Sequence, residues 1–177
     1  MKKSFLAAII MVLCAINSQA QYNNWAVGFK LGEPTGINLR KYFNDDKAID
    51  VTVGTYGGIY GNIREYRNGR YRNVGLTVQV RYLWHKSLFN SEALKGYYGF
   101  GGQLNSRRYY FVPSGSSTGE EVYDRSVSLG GTALAGLEYF MPSSRLSIFL
   151  EAGAYAEVLP AFLFLHPNVS GGVRLNL

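Results

Sequence analysis

The side chains of this chain that could do chemistry are eight charged residues on one side of strand-like segments. The two-residue alternation of a β-strand places them all on the face opposite an apolar one. They are Lys30, Arg40, Asp50, Arg81, Glu138, Glu151, Glu157 and Arg174. Charges withdrawn from water need partners of opposite sign, and this set holds four of each sign. The pattern therefore predicts salt bridges inside a closed sheet.

Two hairpins set the expected pairing of these charges. One puts Arg40 opposite Asp50, and a later one puts Glu138 opposite Glu151. Facing carboxylates repel unless a cation lies between them, and Arg174 on the last segment would supply it. Such a cluster is either an ion gate or acid/base pair, or a structural plug. The balance of charge favours the plug.

A polar segment around residues 57–73 carries four arginines among tyrosines: Arg64, Arg67, Arg70 and Arg72. Guanidinium groups bind phosphates in a bidentate manner, which suits lipopolysaccharide or nucleic acid. The export signal described below argues against nucleic acid. Lipopolysaccharide binding and a plain solvated loop both stay open.

A second loop, residues 159–165, is apolar and contains Phe162 and Phe164. It would fold over a barrel mouth, enter the outer leaflet, dock a protein or hydrophobic ligand, or simply extend the flanking strands. As with the arginine segment, it is a candidate for outer-loop binding.

Enzymatic chemistry has little support in the sequence. The histidines are His85, expected at a membrane interface, and His166, which Glu157 and Ser170 could approach. No spacing fixes that Ser/His/Glu set, and no nucleophile elbow is present. Metal-ligand spacings, phosphate loops and dinucleotide motifs are also absent from the sequence, so we expect no catalytic residue, no metal and no cofactor.

Eight segments with strand character position these side chains. They are residues 25–32, 35–43, 48–56, 74–84, 96–105, 125–140, 146–158 and 168–177. In the seventh, period-two alternation runs long enough to cross roughly 30 Å of hydrocarbon when tilted. A sheet in lipid must close, because unpaired edge groups cost several kcal/mol each. We predict an all-β fold: a closed eight-stranded antiparallel up-and-down transmembrane barrel with a largely filled interior.

The N-terminus predicts export. Lys2 and Lys3 precede a short apolar run, and Ser18-Gln19-Ala20 resembles a signal-peptidase site. The expected division is a signal peptide over residues 1–20 and a barrel domain over residues 21–177. The only cysteine, Cys14, lies in the signal.

Aromatic residues cluster at the strand ends that this topology sends to the periplasm. They are Trp25, Tyr42, Phe43, Trp84, Tyr97, Tyr98, Tyr139 and Phe140. Such a girdle is typical of membrane–water interfaces.

Residues 27–43, and above all the turn Gly32-Glu33-Pro34-Thr35-Gly36, resemble the first hairpin of small Gram-negative outer-membrane β-barrel proteins. The resemblance implies an integral outer-membrane location after cleavage near Ala20. It also implies outer-membrane lipid, lipopolysaccharide and the barrel assembly machinery as partners. That machinery reads the last strand, which usually ends in an aromatic residue and here ends in Leu177. The family implies no particular activity.

We therefore expect a structural or interaction protein that acts through its surface loops, with an extracellular or periplasmic protein partner as one option. The alternatives are a small transporter or hydrophobic-ligand barrel and, less favoured, a lipid-modifying enzyme.

Overall fold

The computed structural model describes residues 24–43, 46–59, 65–66, 69–71, 75–111 and 122–177. The predicted signal peptide lies outside them. The strands are β1 (Trp25–Gly32), β2 (Thr35–Phe43), β3 (Lys47–Tyr56), β4 (Glu65–Tyr66), β5 (Gly69–Tyr71), β6 (Gly75–Leu88), β7 (Ser91–Phe111), β8 (Val122–Phe140), β9 (Leu146–Leu159) and β10 (Phe164–Asn176). No helix of this described part is long and apolar enough to cross a bilayer.

Eight of these strands close into one barrel. Each of β1, β2, β3, β6, β7, β8, β9 and β10 pairs antiparallel with its neighbours, and β1 pairs with β10 from Ala26↔Asn176 to Gly32↔Ser170. The short strands β4 and β5 form a hairpin that extends from β7. The predicted closed eight-stranded antiparallel barrel is confirmed.

Strands β6 and β7 are longer than the alternation predicted. They meet at a two-residue turn, Phe89-Asn90, in which both residues have positive φ (52° and 56°). A turn of this kind matches the twist of the flanking strands, so the hairpin continues beyond the barrel wall. Strand β10 also begins earlier than expected, at Phe164. Its Pro167 is tolerated because that part of β10 pairs only with β9.

The barrel is apolar outside and polar inside. Along β9, Leu146, Ile148 and Leu150 are exposed, whereas Phe149 and Glu151 are buried. Most of the other exposed large hydrophobic residues share that outer surface, and polar side chains dominate the buried set. This distribution is the reverse of a soluble protein's. It is the arrangement expected when lipid surrounds the sheet.

Glycines in β7 let the backbone of β6 approach closely. A Cβ at Gly101 would lie 2.7 Å from the Cα of Arg81, and one at Gly99 would lie 2.7 Å from Leu83 Cδ2. Any side chain at these positions would push β6 and β7 apart. The glycines therefore hold the wall that carries Arg81 in place.

The two ends of the barrel differ. The end that holds Trp25 and Asn176, here called the terminal end, has the short β2–β3, β6–β7 and β8–β9 turns. At this end the amide of Leu177 donates to Trp25 O at 2.8 Å. The opposite end, here called the loop end, has the short β1–β2 and β9–β10 connections and the two long connections, β3–β6 and β7–β8.

Candidate functional site: the interior charge network

Seven of the eight predicted charges form one connected network inside the barrel. This central network comprises Lys30, Arg40, Asp50, Arg81, Glu138, Glu151 and Arg174. Every member is at most 3% exposed. They come from seven different strands, so the network crosses the lumen and joins opposite walls.

Glu151 is the hub of the central network. Its Oε2 accepts from Lys30 Nζ at 2.5 Å and from Arg81 Nη1 at 3.3 Å. Its Oε1 accepts from Arg40 Nη2 at 3.2 Å and from Arg174 Nη2 at 3.1 Å. One carboxylate thus contacts four cations.

Asp50 pairs with the two neighbouring strands. Arg40 on β2 lies directly opposite it, as predicted, and Arg40 Nε donates to Asp50 Oδ2 at 3.0 Å. Arg81 on β6 lies opposite it on the other side, and its Nη2 donates to Oδ1. Asn38 Nδ2 adds a neutral hydrogen bond at 2.9 Å to Oδ2. Asp50 is therefore held from both sides.

Glu138 completes the acidic set. Its Oε2 accepts from Arg40 Nη1 at 2.8 Å, and its Oε1 lies 2.9 Å from Arg174 Nη1. The hydroxyl of Ser147 donates to Oε1 at 2.7 Å, and the Tyr42 hydroxyl lies 3.4 Å from both oxygens. Both oxygens of this buried carboxylate are satisfied.

Aromatic rings pack against two of the arginines, and the predictions from the sequence above do not include these contacts. The guanidinium of Arg174 lies 3.5 Å from the centre of the Phe149 ring, and that of Arg40 lies 4.6 Å from the Tyr97 ring. The Tyr97 hydroxyl also donates to Glu151 Oε1 at 2.8 Å. Planar guanidinium groups stack on rings at such distances. Phe149 and Arg174 lie on the neighbouring strands β9 and β10, so their shared inward face is a signal for that contact. Tyr97 and Arg40 lie on β7 and β2, which are not neighbours, and no local sequence signal joins them.

The central network holds four cations against three carboxylates. Aromatic faces and hydrogen bonds to neutral side chains, such as Arg174 Nε to Asn38 Oδ1 at 2.7 Å, stabilise the extra positive charge. Every carboxylate contacts at least two arginines. The arrangement locks side chains across the lumen, and it offers no carboxylate free to exchange a proton with a substrate.

A neutral hydrogen-bonded layer lies between the central network and the loop end. Gln79 Nε2 donates to Gln103 Oε1 at 2.5 Å, and Gln103 Nε2 donates to Asn105 Oδ1 at 2.8 Å. Thr77 also donates to Asn105 Oδ1, at 2.7 Å, and Asn105 Nδ2 donates to Ser128 Oγ at 3.1 Å. All five residues are buried. Hydrogen-bonded polar side chains therefore lie in the interior on both levels.

One predicted pairing within the network is wrong. Glu138 lies opposite Phe149, and Glu151 lies opposite Gly136, so the two carboxylates do not face each other. The turn is one residue closer to the N-terminus than expected, because Ser144 N donates to Met141 O and closes it early. The register therefore shifts by two residues, which keeps both carboxylates inside. Arg174 contacts both, as expected.

The eighth predicted charge, Glu157, lies apart from the central network. It is buried near the loop end, and its Oε1 accepts from the amide of Ala161 at 3.0 Å. His166 pairs across strands with Tyr155, whereas Ser170 pairs with Glu151. Ser170 lies four residues after His166, about 13 Å further along β10. The structure does not assemble the Ser/His/Glu set.

His85 is an inward residue, and its expected place at the interface is wrong. It is 7% exposed, and its Nε2 lies 3.3 Å from Arg40 Nη1. Its ring packs between those of Tyr42 and Tyr97. Among the described residues there is no group of three or more His, Cys, Asp or Glu side chains that could hold a metal ion.

The predicted girdle divides into two sets. Trp25, Phe43, Trp84, Tyr98 and Tyr139 take the outward positions of their strands at the terminal end. Tyr82 and Phe100, which the prediction omitted, join them through contacts with Trp84 at 4.8 Å and 5.4 Å between ring centres.

Three members of the predicted girdle point inward, and their assignment to it is wrong. Tyr42 and Tyr97 share the inner face with the central network. Phe140 follows Glu138 on the same face of β8 and contacts Tyr42 at 6.4 Å between ring centres. Position at a strand end does not distinguish the two faces, which explains the error.

The predicted outer-loop residues are only partly described. Arg64, Arg67 and Arg72 lie outside the described residues, and of Arg70 only the backbone, in β5, is described. In the β9–β10 loop Phe162 is 75% exposed and Phe164 is partly exposed. The amide of Leu163 donates to Glu157 O at 2.9 Å, so backbone hydrogen bonds hold this apolar loop at the mouth.

Comparisons with known proteins agree with this architecture. No protein-family model and no curated protein sequence matches the chain. Among solved structures, it is similar to the N-terminal β-barrel domain of Pseudomonas aeruginosa OprF, with a TM-score of 0.58 and 14% identity over 86% of this chain and 95% of that one. Neisserial surface protein A also matches, with a TM-score of 0.49 and 14% identity over 86% and 93%.

The likeness to the OprF barrel domain agrees with the strand pairing, and the chain has the fold of a small closed eight-stranded antiparallel barrel of the outer-membrane type.

Proposed function

We propose that this protein is an integral outer-membrane barrel whose closed interior does not conduct, and that it acts through its loop end rather than by catalysis. The observation that carries the proposal is the central network. Four cations and three carboxylates from opposite walls meet inside an eight-stranded barrel. A barrel of this size has room for side chains and little else.

The outer surface supports membrane insertion. Apolar side chains on every barrel strand are exposed, for example Leu31 at 60%, Ile37 at 63% and Leu150 at 60%. In water such a continuous apolar surface would drive aggregation. In lipid it is stable, because the barrel has no unpaired edge. This agrees with cleavage of a signal peptide near Ala20, recognition of β10 by the assembly machinery and a final location in the outer membrane.

The apolar β9–β10 loop supports a role in interaction. Leu159, Phe162 and Leu163 are exposed by 60%, 75% and 65% at the barrel mouth. They continue the apolar surface of the wall, so lipid or a partner protein would bury them. The arginines of the β3–β6 connection, among them Arg64 and Arg67, would add contacts to lipopolysaccharide phosphates.

The runner-up function is a small transporter or hydrophobic-ligand barrel, which the exposed Phe162 at the mouth favours. Solute flux into vesicles separates the two. The reconstituted wild-type protein is expected to leave vesicles impermeable to small sugars and ions, while gel mobility before and after boiling shows that the barrel is folded. Sugar uptake by vesicles that contain folded protein would contradict the closed interior and favour transport.

A further inference from the structure

Three lysines point outward at the terminal end, on three consecutive strands of the barrel wall. Lys41 lies on β2, Lys47 begins β3, and Lys86 lies near the end of β6. Each occupies an outward position of its strand. Lys86 is exposed, and Lys41 and Lys47 are partly exposed.

Two of these lysines sit among the outward aromatic residues. The ammonium of Lys41 lies 5.0 Å from the centre of the Trp25 ring and 5.5 Å from that of Phe43. Lys47 pairs directly with Phe43 on one side and with Trp84 on the other. Aromatic rings of this kind mark the level at which lipid headgroups meet the acyl chains. Lys41 and Lys47 are therefore at headgroup level.

These cations have no described anionic partner. Within the described ranges, none of Lys41, Lys47 and Lys86 forms an ion pair with a carboxylate, whereas the interior Lys30 is bound to Glu151. Aromatic faces orient Lys41 but do not neutralise it. The charge on this face is available to an anion from outside.

The patch is confined to one side of the barrel. On the opposite wall the outward residues at the same level are apolar: Tyr139 on β8, Ile148 on β9, and Val173 and Leu175 on β10. Among the described residues on the outer surface of that wall, the cation at this end is the exposed Arg145 in the β8–β9 turn. A general attraction to the membrane would be served by cations spread around the whole barrel. Cations confined to one wall instead favour a ligand bound at that place.

We propose that Lys41 and Lys47 bind the phosphate of an anionic phospholipid, with its acyl chains against Trp25 and Trp84. The inference rests on the proposed membrane location. The recognised group is a lipid phosphate without a compensating ammonium, because unpaired lysines favour a headgroup with net negative charge. Lys86, one residue pair further toward water, adds to the potential that attracts it.

The two tryptophans of the chain, Trp25 and Trp84, both lie at the proposed site and serve as its fluorescence probes. Phospholipids brominated near the top of the acyl chain quench a tryptophan that they touch. Wild-type barrel in zwitterionic vesicles is expected to be quenched by small mole fractions of brominated phosphatidylglycerol, and to need about 25-fold more brominated phosphatidylcholine. The doubly substituted K41Q/K47Q barrel should lose most of that preference, about fivefold for each lysine at low salt.

Lys95→Gln is the matched control. Lys95 is at the same end of the barrel, but its ammonium lies on the inward side, 5.6 Å from the centre of the Phe140 ring. The lipid preference of this variant should equal that of the wild type. Gel mobility before and after boiling shows that each variant is folded.

Three outcomes would overturn the lipid site. They are equal quenching by the two brominated lipids, an unchanged preference in K41Q/K47Q, and loss of the preference when inorganic phosphate is added, which would indicate a free-phosphate site. If the protein did not insert into the membrane at all, neither brominated lipid would quench Trp25 or Trp84. This result is distinguishable from the three outcomes that would overturn the lipid site alone.

Discussion

Replacing Glu151 with glutamine removes one charge from the centre of the barrel and leaves four cations facing two carboxylates. Glu151 contacts Lys30, Arg40, Arg81 and Arg174 at 2.5–3.3 Å. Glutamine has nearly the same volume, so packing changes little and the effect is electrostatic. Removing one partner of a buried ion pair costs about 3–5 kcal/mol, because the remaining charges stay buried without compensation. We expect a loss of that size in the free energy of unfolding.

Urea titration of the barrel in lipid vesicles, followed by gel mobility, measures this loss. Two matched substitutions give a scale against which the loss in the free energy of unfolding is compared. Glu138→Gln removes a carboxylate that contacts two arginines and should cost less, about 1.5–3 kcal/mol. Glu92→Gln alters an exposed carboxylate on β7 and should stay within about 0.5 kcal/mol. Equal losses for Glu151→Gln and Glu92→Gln would refute the argument that Glu151 holds the network together.

Other substitutions probe the wall and the loop end. Gly101→Ala is expected to destabilise the barrel by more than 1 kcal/mol, about the cost of overpacking, because the added Cβ would lie 2.7 Å from the Cα of Arg81; the adjacent Gly102→Ala meets nothing within 4 Å and should be neutral. Thermal melting of both variants compares them, and a Gly102→Ala loss as large as that of Gly101→Ala would contradict the packing argument. Glu33→Gln should speed hydrogen exchange of the amides in residues 57–59 about tenfold, since the Glu33 carboxylate accepts from two of them at 2.8 Å and 2.6 Å. Unchanged exchange there would mean that this carboxylate does not fasten the start of the β3–β6 connection.

The sequence predicts the barrel and its inner face well, because both follow from the alternation of apolar and polar residues along each strand. A strand in this wall contacts lipid on one side and a polar interior on the other, so each residue type reports its side. The sequence also predicts the Arg40–Asp50 pair correctly, since a short hairpin with an identifiable turn sets the register of its strands. The eight charges are all buried for the same reason.

The alternation of residue types does not distinguish two strand registers that differ by two residues. This explains why Glu138 and Glu151 are wrongly predicted to face each other. Such a shift leaves every side chain on its own face. Only the closing hydrogen bond of the turn, from Ser144 N to Met141 O, determines which residues lie opposite each other.

The face of an aromatic residue was harder to predict in glycine-rich β7. Gly96, Gly99, Gly101 and Gly102 interrupt its pattern, so nothing in the sequence distinguishes the outward Tyr98 from its inward neighbour Tyr97. The contact between Tyr97 and Glu151 joins residues 54 positions apart and crosses β8 at Gly136, so it depends on the register of three strands. Contacts of this kind follow from the three-dimensional register and not from local spacing.

Single-channel recording in a planar bilayer tests the filled interior most directly. After insertion of folded wild-type protein, shown by gel mobility, we expect no steady current steps, because the central network and the neutral layer, which includes Gln79 and Gln103, occupy the lumen. Steady steps of a single size from the folded wild-type barrel would contradict it.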